Sequence, residues 1–457
     1  MEREARMAIK VGMISLGCPK NQVDGELLMA SLKDAGYTLS DDVGLADVAI
    51  INTCGVIESA KQESIDEILE LAKLKEEGRI RALIVTGCLA ERYREQVMEE
   101  LPEADAVVGI GANGEIASII ERVLGGERVG HFPEKERLPL EGGRELSTPS
   151  YFAYLKIAEG CDNRCAYCAI PEIRGGYRSR PMESILEEAR LLAADGAKEL
   201  ILIAQDTTRY GADLYGRLAL PELLDRLCEI DGIRWIRLLY CYPDLVTEEL
   251  IHTIASQEKV AKYMDLPLQH ISDSVLRAMN RRGSKAETEA LIEKLRKEIP
   301  GLTLRTTVMT GFPGETESDF EELMAFIRKV RFERLGCFAY SCEEGTQAAS
   351  LPDQVDEEVK ARRAELIQEE QMLIMQEHGE AMIGKTVTVM TEGFDRYAEC
   401  YFGRTEADAP EIDGKVFFTI SGKKPQFGQF VKVEIEDCMD CDLVGSMIEE
   451  DAHESAE

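Results

Sequence analysis

Three cysteines within eight residues, Cys161-Asp162-Asn163-Arg164-Cys165-Ala166-Tyr167-Cys168, are the stretch of this chain best equipped for chemistry. With three and then two residues between them, the thiolates can converge on one metal centre through a single tight loop. They make three ligands, not four. Structural zinc wants a closed tetrahedral set, and a cubane iron–sulfur cluster usually takes four cysteines. A three-cysteine loop therefore leaves one metal corner free for a non-protein ligand. The alternatives are a zinc site completed by a distant residue, or a set of buried free thiols.

A second set is dispersed. Leu16-Gly17-Cys18, Asn52-Thr53-Cys54 and Thr86-Gly87-Cys88 each follow a short apolar run, at 11–16, 47–51 and 82–86. Helical patterns come after each run, over 21–35 and from near Ser59 and Glu91. Strands alternating with helices predict a parallel sheet covered by helices, whose carboxyl strand ends share the edge where ligands bind. The three cysteines would meet there. Glycines at 17, 55 and 87 would let the backbone approach an inorganic cluster, and the helix amino termini beyond the cysteines would favour its negative charge. Taken singly each cysteine is an ordinary core residue; at equivalent strand ends they read as a second three-cysteine cluster.

Cys-x3-Cys-x2-Cys after a first strand resembles the signature of the radical S-adenosylmethionine (SAM) enzymes. Gly17-Cys18-Pro19-Lys20-Asn21 and Asn52-Thr53-Cys54 resemble the amino-terminal motifs of their methylthiotransferase branch. The resemblance implies two four-iron four-sulfur (4Fe-4S) clusters, one on Cys161, Cys165 and Cys168, the other on Cys18, Cys54 and Cys88, with SAM at the open iron of the first. It also implies a flavodoxin- or ferredoxin-like electron donor, cleavage of SAM to a 5'-deoxyadenosyl radical, and sulfur supplied at the second cluster. Gln205, Asp206 and Thr207 would then contact the methionyl part of SAM, Asp206 pairing with its ammonium. Gly311, Phe312 and Pro313 would lie against the adenosine, Tyr167 would face the adenine, and Arg305 would reach the carboxylate. The alternative for each is a turn or surface residue.

Leu266-Pro267-Leu268-Gln269-His270, Met279-Asn280-Arg281-Arg282 and Tyr242-Pro243-Asp244 resemble one branch in particular. That branch methylthiolates the β-carbon of an aspartate in ribosomal protein S-twelve; the other acts on an adenosine of transfer RNA. His270 reads either as a base or as a hydrogen-bonded loop histidine.

The elements that must position these residues fall into three domains, 8–131, 150–380 and 381–447, with a Pro-, Gly- and charge-rich linker over 132–150. In the second, strands expected at 152–157, 199–204, 235–240, 263–268, 302–310 and 334–340 alternate with helices, which fits an incomplete (β/α)6 barrel. Its catalytic groups should sit at the carboxyl ends of the strands. After a charged helix over 356–378, the pattern turns to period two at 386–390, 398–401, 415–418 and 430–435. A small antiparallel barrel of the oligonucleotide-binding shape follows, and its place in the chain resembles the TRAM domain. The fold class is α/β throughout the first two domains.

The composition, 44% hydrophobic and 30% charged over 457 residues, is that of a soluble globular protein. There is no uninterrupted apolar segment of membrane-spanning length, and Met1 to Arg6 lack a signal peptide's apolar core. A cytoplasmic protein without membrane contact is expected. Thirteen cysteines, an odd number, favour thiol or metal chemistry over a disulfide framework.

A net charge of -33 argues against stable nucleic-acid binding, which needs cations to displace counterions, and favours a basic partner. An acidic proteome is the other explanation. Residues 384–457 carry 17 acidic against 7 basic side chains, so this barrel should repel RNA and suit a basic ribosomal protein. Cys438 and Cys441 form half a zinc motif without a second pair nearby. Cys228, Cys241, Cys337, Cys342 and Cys400 read as packing residues, and the acidic tail 449–457 as disordered.

Overall fold

The computed structural model describes residues 6–448; the tail expected to be disordered lies outside them. In the first unit, β1 (Lys10–Ser15), β2 (Thr38–Ser40), β3 (Val48–Thr53), β4 (Ala82–Gly87), β5 (Ala106–Val108) and β6 (Val129–His131) form a parallel sheet in the order β2-β1-β3-β4-β5-β6. β3 and β4 are buried along their whole length, which is why they read as continuous apolar runs rather than alternations. Ser15 pairs with Asn52 and Asn52 with Thr86, so the three strand ends stand abreast. β2, β5 and β6, three residues each, carry too little periodicity to be read from sequence.

A second parallel sheet contains β7 (Phe152–Lys156), β10 (Glu199–Ile203), β11 (Trp235–Leu238), β12 (Val260–Asp265), β13 (Thr303–Thr310) and β14 (Arg334–Ala339), neighbours in chain order. It is the expected open (β/α)6 arrangement, with helices such as Met182–Ala194 and Glu317–Val330 on its outer face. The latter opens on a reciprocal cap between Thr316 and Asp319. β12 ends at Asp265 rather than reaching 268. Pro267 has no N–H to give the ladder, and the apolar Leu266-Pro267-Leu268 belongs to the loop. β8 (Ala158–Glu159) and β9 (Arg178–Ser179) make a short antiparallel ribbon at the carboxyl end of β7.

The third unit is a closed five-stranded barrel: β15 (Thr386–Asp395), β16 (Cys400–Arg404), β17 (Val416–Thr419), β18 (Phe430–Met439) and β19 (Asp442–Met447), ordered β15-β16-β17-β19-β18. β19 escaped the sequence reading because it follows a tight turn through Asp440 and Cys441, both at positive φ. Cys438 and Cys441 face the long helix Glu357–Glu380, their sulfurs near Gln376 and Met372.

The three units are stitched together through the open barrel. The loop between β16 and β17 enters it: Ala409 packs with Tyr154, Ile203, Leu239 and Tyr263, and Tyr263 donates to Asp413 at 2.6 Å. Fully buried Glu199 is held by Arg237 at 2.7 Å and by Arg404, from β16, at 2.8 Å. From the first unit, Val23 and Leu27 of helix Pro19–Asp34 join the same core. The linker is fastened as well: buried Arg144 bonds Glu26 at 3.0 Å and Glu188 at 2.7 Å.

Candidate active site

Cys161, Cys165 and Cys168 lie on a loop that leaves the β8–β9 ribbon and returns to it. The Cys161 N–H donates to Gly175 O at 3.1 Å, and Gly160, at φ 78°, admits the returning backbone where a side chain would collide. The loop hangs on its neighbours through Ala166 N–H to Met279 O at 2.9 Å, Asn280 Nδ2 to Arg164 O at 2.8 Å, and Ala348 N–H to Ala166 O at 2.8 Å. Burial pushes the Cys161 thiol up to about 11 and Cys168 up to about 12, each helped by neighbouring cysteines of the same loop. Thiols that resist ionisation in water's absence become thiolates when iron replaces the proton.

Cys18, Cys54 and Cys88 follow neighbouring strand ends, near enough that the charge of Cys18 bears on the other two. Cys18 caps helix Pro19–Asp34 and Cys88 begins helix Cys88–Glu100, whereas Cys54 lies in the loop before helix Glu58–Glu76, its backbone exchanging hydrogen bonds with Ser64. Asn21 ties the strand ends, donating to Leu16 O at 2.8 Å and Thr53 O at 3.2 Å. Burial raises Cys54, with Cys18 adding to it, and raises Cys88 to about 12, with Cys18 and Cys54 adding to it. Cys18 goes the other way: burial opposes its ionisation, but the charges of Lys20 and Arg174 outweigh it. Gly17 stands where a Cβ would fall 2.8 Å from the Cys54 sulfur. Gly55 and Gly87 serve differently from expectation, since their open space is filled by the backbones of Leu89 and Thr53.

Each set therefore offers soft sulfur donors with cations at the rim, a donor chemistry that fits an iron–sulfur cage with one corner unfilled by protein. Among the described residues, no three His, Cys, Asp or Glu side chains gather tightly enough to hold a single metal ion.

The two sets are adjacent. Cys88 packs against Ala169 and Ile173, directly after Cys168, and Arg174 donates from the same short helix to the Cys88 sulfur at 3.3 Å. Arg174 also bonds Asp24 at 2.5 Å and Glu159 at 3.2 Å. Lys156 bridges the same two carboxylates, and Glu159 accepts from Gln205 at 2.7 Å. A buried ionic chain thus runs from the dispersed thiol set to the end of β10. Around the site, Arg164, Tyr240, Gln269 and Asn280 all hold positive φ, a conformation that costs about 1–3 kcal/mol each and concentrates at functional sites.

The remaining expected contacts divide. Tyr167 sits edge-on to Phe312, ring centres 6.5 Å apart, and Phe312 in turn meets Tyr340. Gly311, Phe312 and Pro313 are buried beside them, Gly311 at φ 71° pressed against Lys360. Gln205 keeps a buried carbonyl oxygen that has no hydrogen-bond partner among the described residues. Asp206 is fully buried and holds the cysteine loop: it accepts from Asn163 at 2.9 Å and Thr208 at 2.6 Å. Thr207 donates to Leu239 O at 2.8 Å. Arg305 stands apart, paired with Asp265 at 2.9 Å and Asp413 at 3.7 Å. His270 is a loop histidine, its Nδ1 accepting from Ser272 N–H at 3.0 Å with Glu315 3.4 Å from Nε2.

Arg281, Tyr242 and Lys20 are site residues whose motifs gave no hint of their roles. Arg281 reaches Tyr167 O–H at 3.5 Å and the Cys165 sulfur at 4.0 Å, stacked over Tyr242, whose hydroxyl is 3.5 Å from the same sulfur. Lys20 lies over Tyr240. Arg174 fell outside every motif, and a lone arginine before a pair of glycines gives no signal.

A parallel (β/α)6 barrel with a three-thiol loop at its carboxyl edge, backed by a three-thiol α/β unit, defines a radical SAM enzyme carrying a second cysteine centre. Residues 155–327 match the radical SAM superfamily, 10–109 the uncharacterized protein family UPF0004, and 383–448 the TRAM domain. The fold also resembles the cobalamin- and [4Fe-4S]-bound radical SAM methyltransferase TsrM from Kitasatospora setae, with TM-score 0.55 and 14% identity over 72% of this chain and 74% of that one. The ribosomal protein uS12 methylthiotransferase RimO of Lachnoclostridium phytofermentans is 48% identical over 96% of this chain and 100% of its own. That of Thermoanaerobacter sp. is 51% identical over 95% and 99%. The chain belongs to the RimO family of radical SAM methylthiotransferases. Membership brings SAM and 4Fe-4S clusters as cofactors.

Proposed function

We propose that this protein adds a methylthio group to the β-carbon of an aspartate in ribosomal protein uS12. The carrying observation is that Cys88 of the dispersed set packs against Ala169 and Ile173, which follow Cys168 of the local set; this supports a reading in which one substrate is held beside both. When bound, the clusters and SAM supply a radical able to take hydrogen from an unactivated carbon, and the sulfur and methyl that replace it. The chain's own part is to hold and orient. Cys161, Cys165 and Cys168 ligate one cluster and Cys18, Cys54 and Cys88 the other.

Tyr167, Gly311, Phe312 and Pro313 shape the wall for adenosine, and Gln205 offers its free oxygen to the methionyl end. Asp206 and Thr207 act by fixing the loop and the β10 end, and Arg305 through the pairs that brace the barrel. The division into 8–131, 150–380 and 381–447 assigns the dispersed cluster, the radical chemistry and substrate docking in turn. The acidic carboxyl-terminal barrel supports a basic protein substrate over RNA. A flavodoxin- or ferredoxin-like protein supplies electrons, and the setting is the cytoplasm.

The test compares uS12 and transfer RNA from a deletion strain by mass spectrometry. Loss of the methylthio group from uS12 alone is expected; loss of a methylthiolated nucleoside alone would reject the aspartate reading in favour of transfer RNA.

A further inference from the structure

Four cations stand at the thiol sets, and three are held by carboxylates or by hydrogen bonds to protein groups. Lys156 and Arg174 share Asp24 and Glu159. Arg281 gives its donors to Pro267 O, Tyr167 and Cys165. Lys20 differs. It is only 7% exposed, its ammonium lies 3.2 Å from the centre of the Tyr240 ring, and among the described residues no carboxylate forms an ion pair with it. A ring face offsets only part of the cost of taking an ammonium out of water.

Its position says what would complete it. Lys20 stands in the first turn of helix Pro19–Asp34, two residues beyond Cys18, and reaches across to the end of β11. Two residues past Tyr240, Tyr242 touches Cys165. The ammonium therefore lies beside the dispersed set, over a tyrosine two residues from the one that touches Cys165 and held at φ 59° by its N–H bond to Asp265 at 2.9 Å.

We infer that Lys20 is the specificity residue of the reaction, receiving the side-chain carboxylate of the substrate aspartate as a desolvated ion pair. This rests on the aspartate reading above. The carboxyl carbon of aspartate is bonded directly to Cβ, so anchoring the carboxylate places the reacting carbon one bond away. An asparagine of the same shape would bring no charge and leave the ammonium only the Tyr240 ring and the Cys18 sulfur.

The test uses reconstituted holoenzyme and two synthetic uS12 peptides, one with the target aspartate and one with asparagine there, measuring each Kd together with iron and sulfide per chain. Wild-type enzyme should bind the aspartate peptide tighter by roughly 30-fold or more, the scale of losing one partner of a buried charge pair. Lys20→Met should bind both alike at wild-type iron content, and Lys20→Arg should recover most of the preference. A Lys20→Met enzyme that keeps the aspartate preference overturns the inference. So does one that loses iron while Lys20→Arg keeps it, since Lys20 would then serve the cluster. Wild-type enzyme that binds neither peptide overturns the aspartate reading, and the inference with it.

Discussion

The two thiol sets reach similar ends by opposite routes. Cys161, Cys165 and Cys168 sit on one loop and owe their convergence to chain connectivity; Cys18, Cys54 and Cys88 come from the ends of three strands and owe theirs to the register of a sheet. A local set tolerates strain elsewhere, whereas a dispersed set is only as good as the packing between its strands. The local set has its fixings in loop-to-loop hydrogen bonds, the dispersed one in Asn21, Ser64 and close glycines. The comparison predicts that the two can be broken separately.

The largest effect is expected from the ligands themselves. Cys165→Ala should abolish 5'-deoxyadenosine formation from SAM under reducing anaerobic conditions, while Cys54→Ala should keep it and stop sulfur insertion into uS12. Full product in either variant would dissolve the division of labour. Gly17→Ala comes next, since its new Cβ would fall 2.7 Å from the Cys54 Cβ at a backbone φ of 90°. It should lower methylthio transfer by roughly tenfold or more through strain at a non-glycine left-handed position, read by uS12 mass, with 5'-deoxyadenosine formation intact.

Acid should act on the contact between the two barrels and not on either thiol set. Burial works to raise the Glu199 carboxyl, but Arg237 and Arg404 outweigh it and hold it below the usual carboxylate range. Its contribution is then complete above the unfolded value of about 4.3 and is lost as pH falls through the lower folded value. Arg404→Met, which removes one partner of this buried pair, should cost about 3–5 kcal/mol in the docking of the carboxyl-terminal barrel, followed by thermal unfolding. The cost should shrink as the medium is acidified below that range. The smallest effect is expected from Asn163→Ala, which frees one bond to Asp206 and one from Arg209. A loss of about 1.5–3 kcal/mol in loop order should slow SAM cleavage while leaving the dispersed set its iron.

How much of this was legible in the sequence follows the same divide. The local set could be read from spacing alone, and the dispersed one from three cysteines at equivalent strand ends, because parallel strands put their carboxyl ends on one edge. What pairs with what was not legible. Arg305 occupies a strand as expected, yet nothing in the chain order reveals that Asp265 and Asp413, the latter from another unit, neutralise it. The loop carrying Ala409 has no periodicity, so its entry into the barrel left no trace in the pattern. Asp206 was expected at the methionyl end of SAM from the family resemblance alone; its bond to Asn163 of the cysteine loop left no trace in the sequence.

The account stands on two separate inorganic cages held by six cysteines, and iron and sulfide counted per chain after anaerobic reconstitution test it most directly. Wild-type protein should hold about eight iron atoms, two four-iron clusters. Alanine at Cys18, Cys54 or Cys88 should leave about half with the SAM-cleaving cluster spectroscopically unchanged, and alanine at Cys161, Cys165 or Cys168 should leave the other half. Wild-type protein with half that iron, or a Cys54→Ala protein whose remaining cluster no longer cleaves SAM, would contradict it.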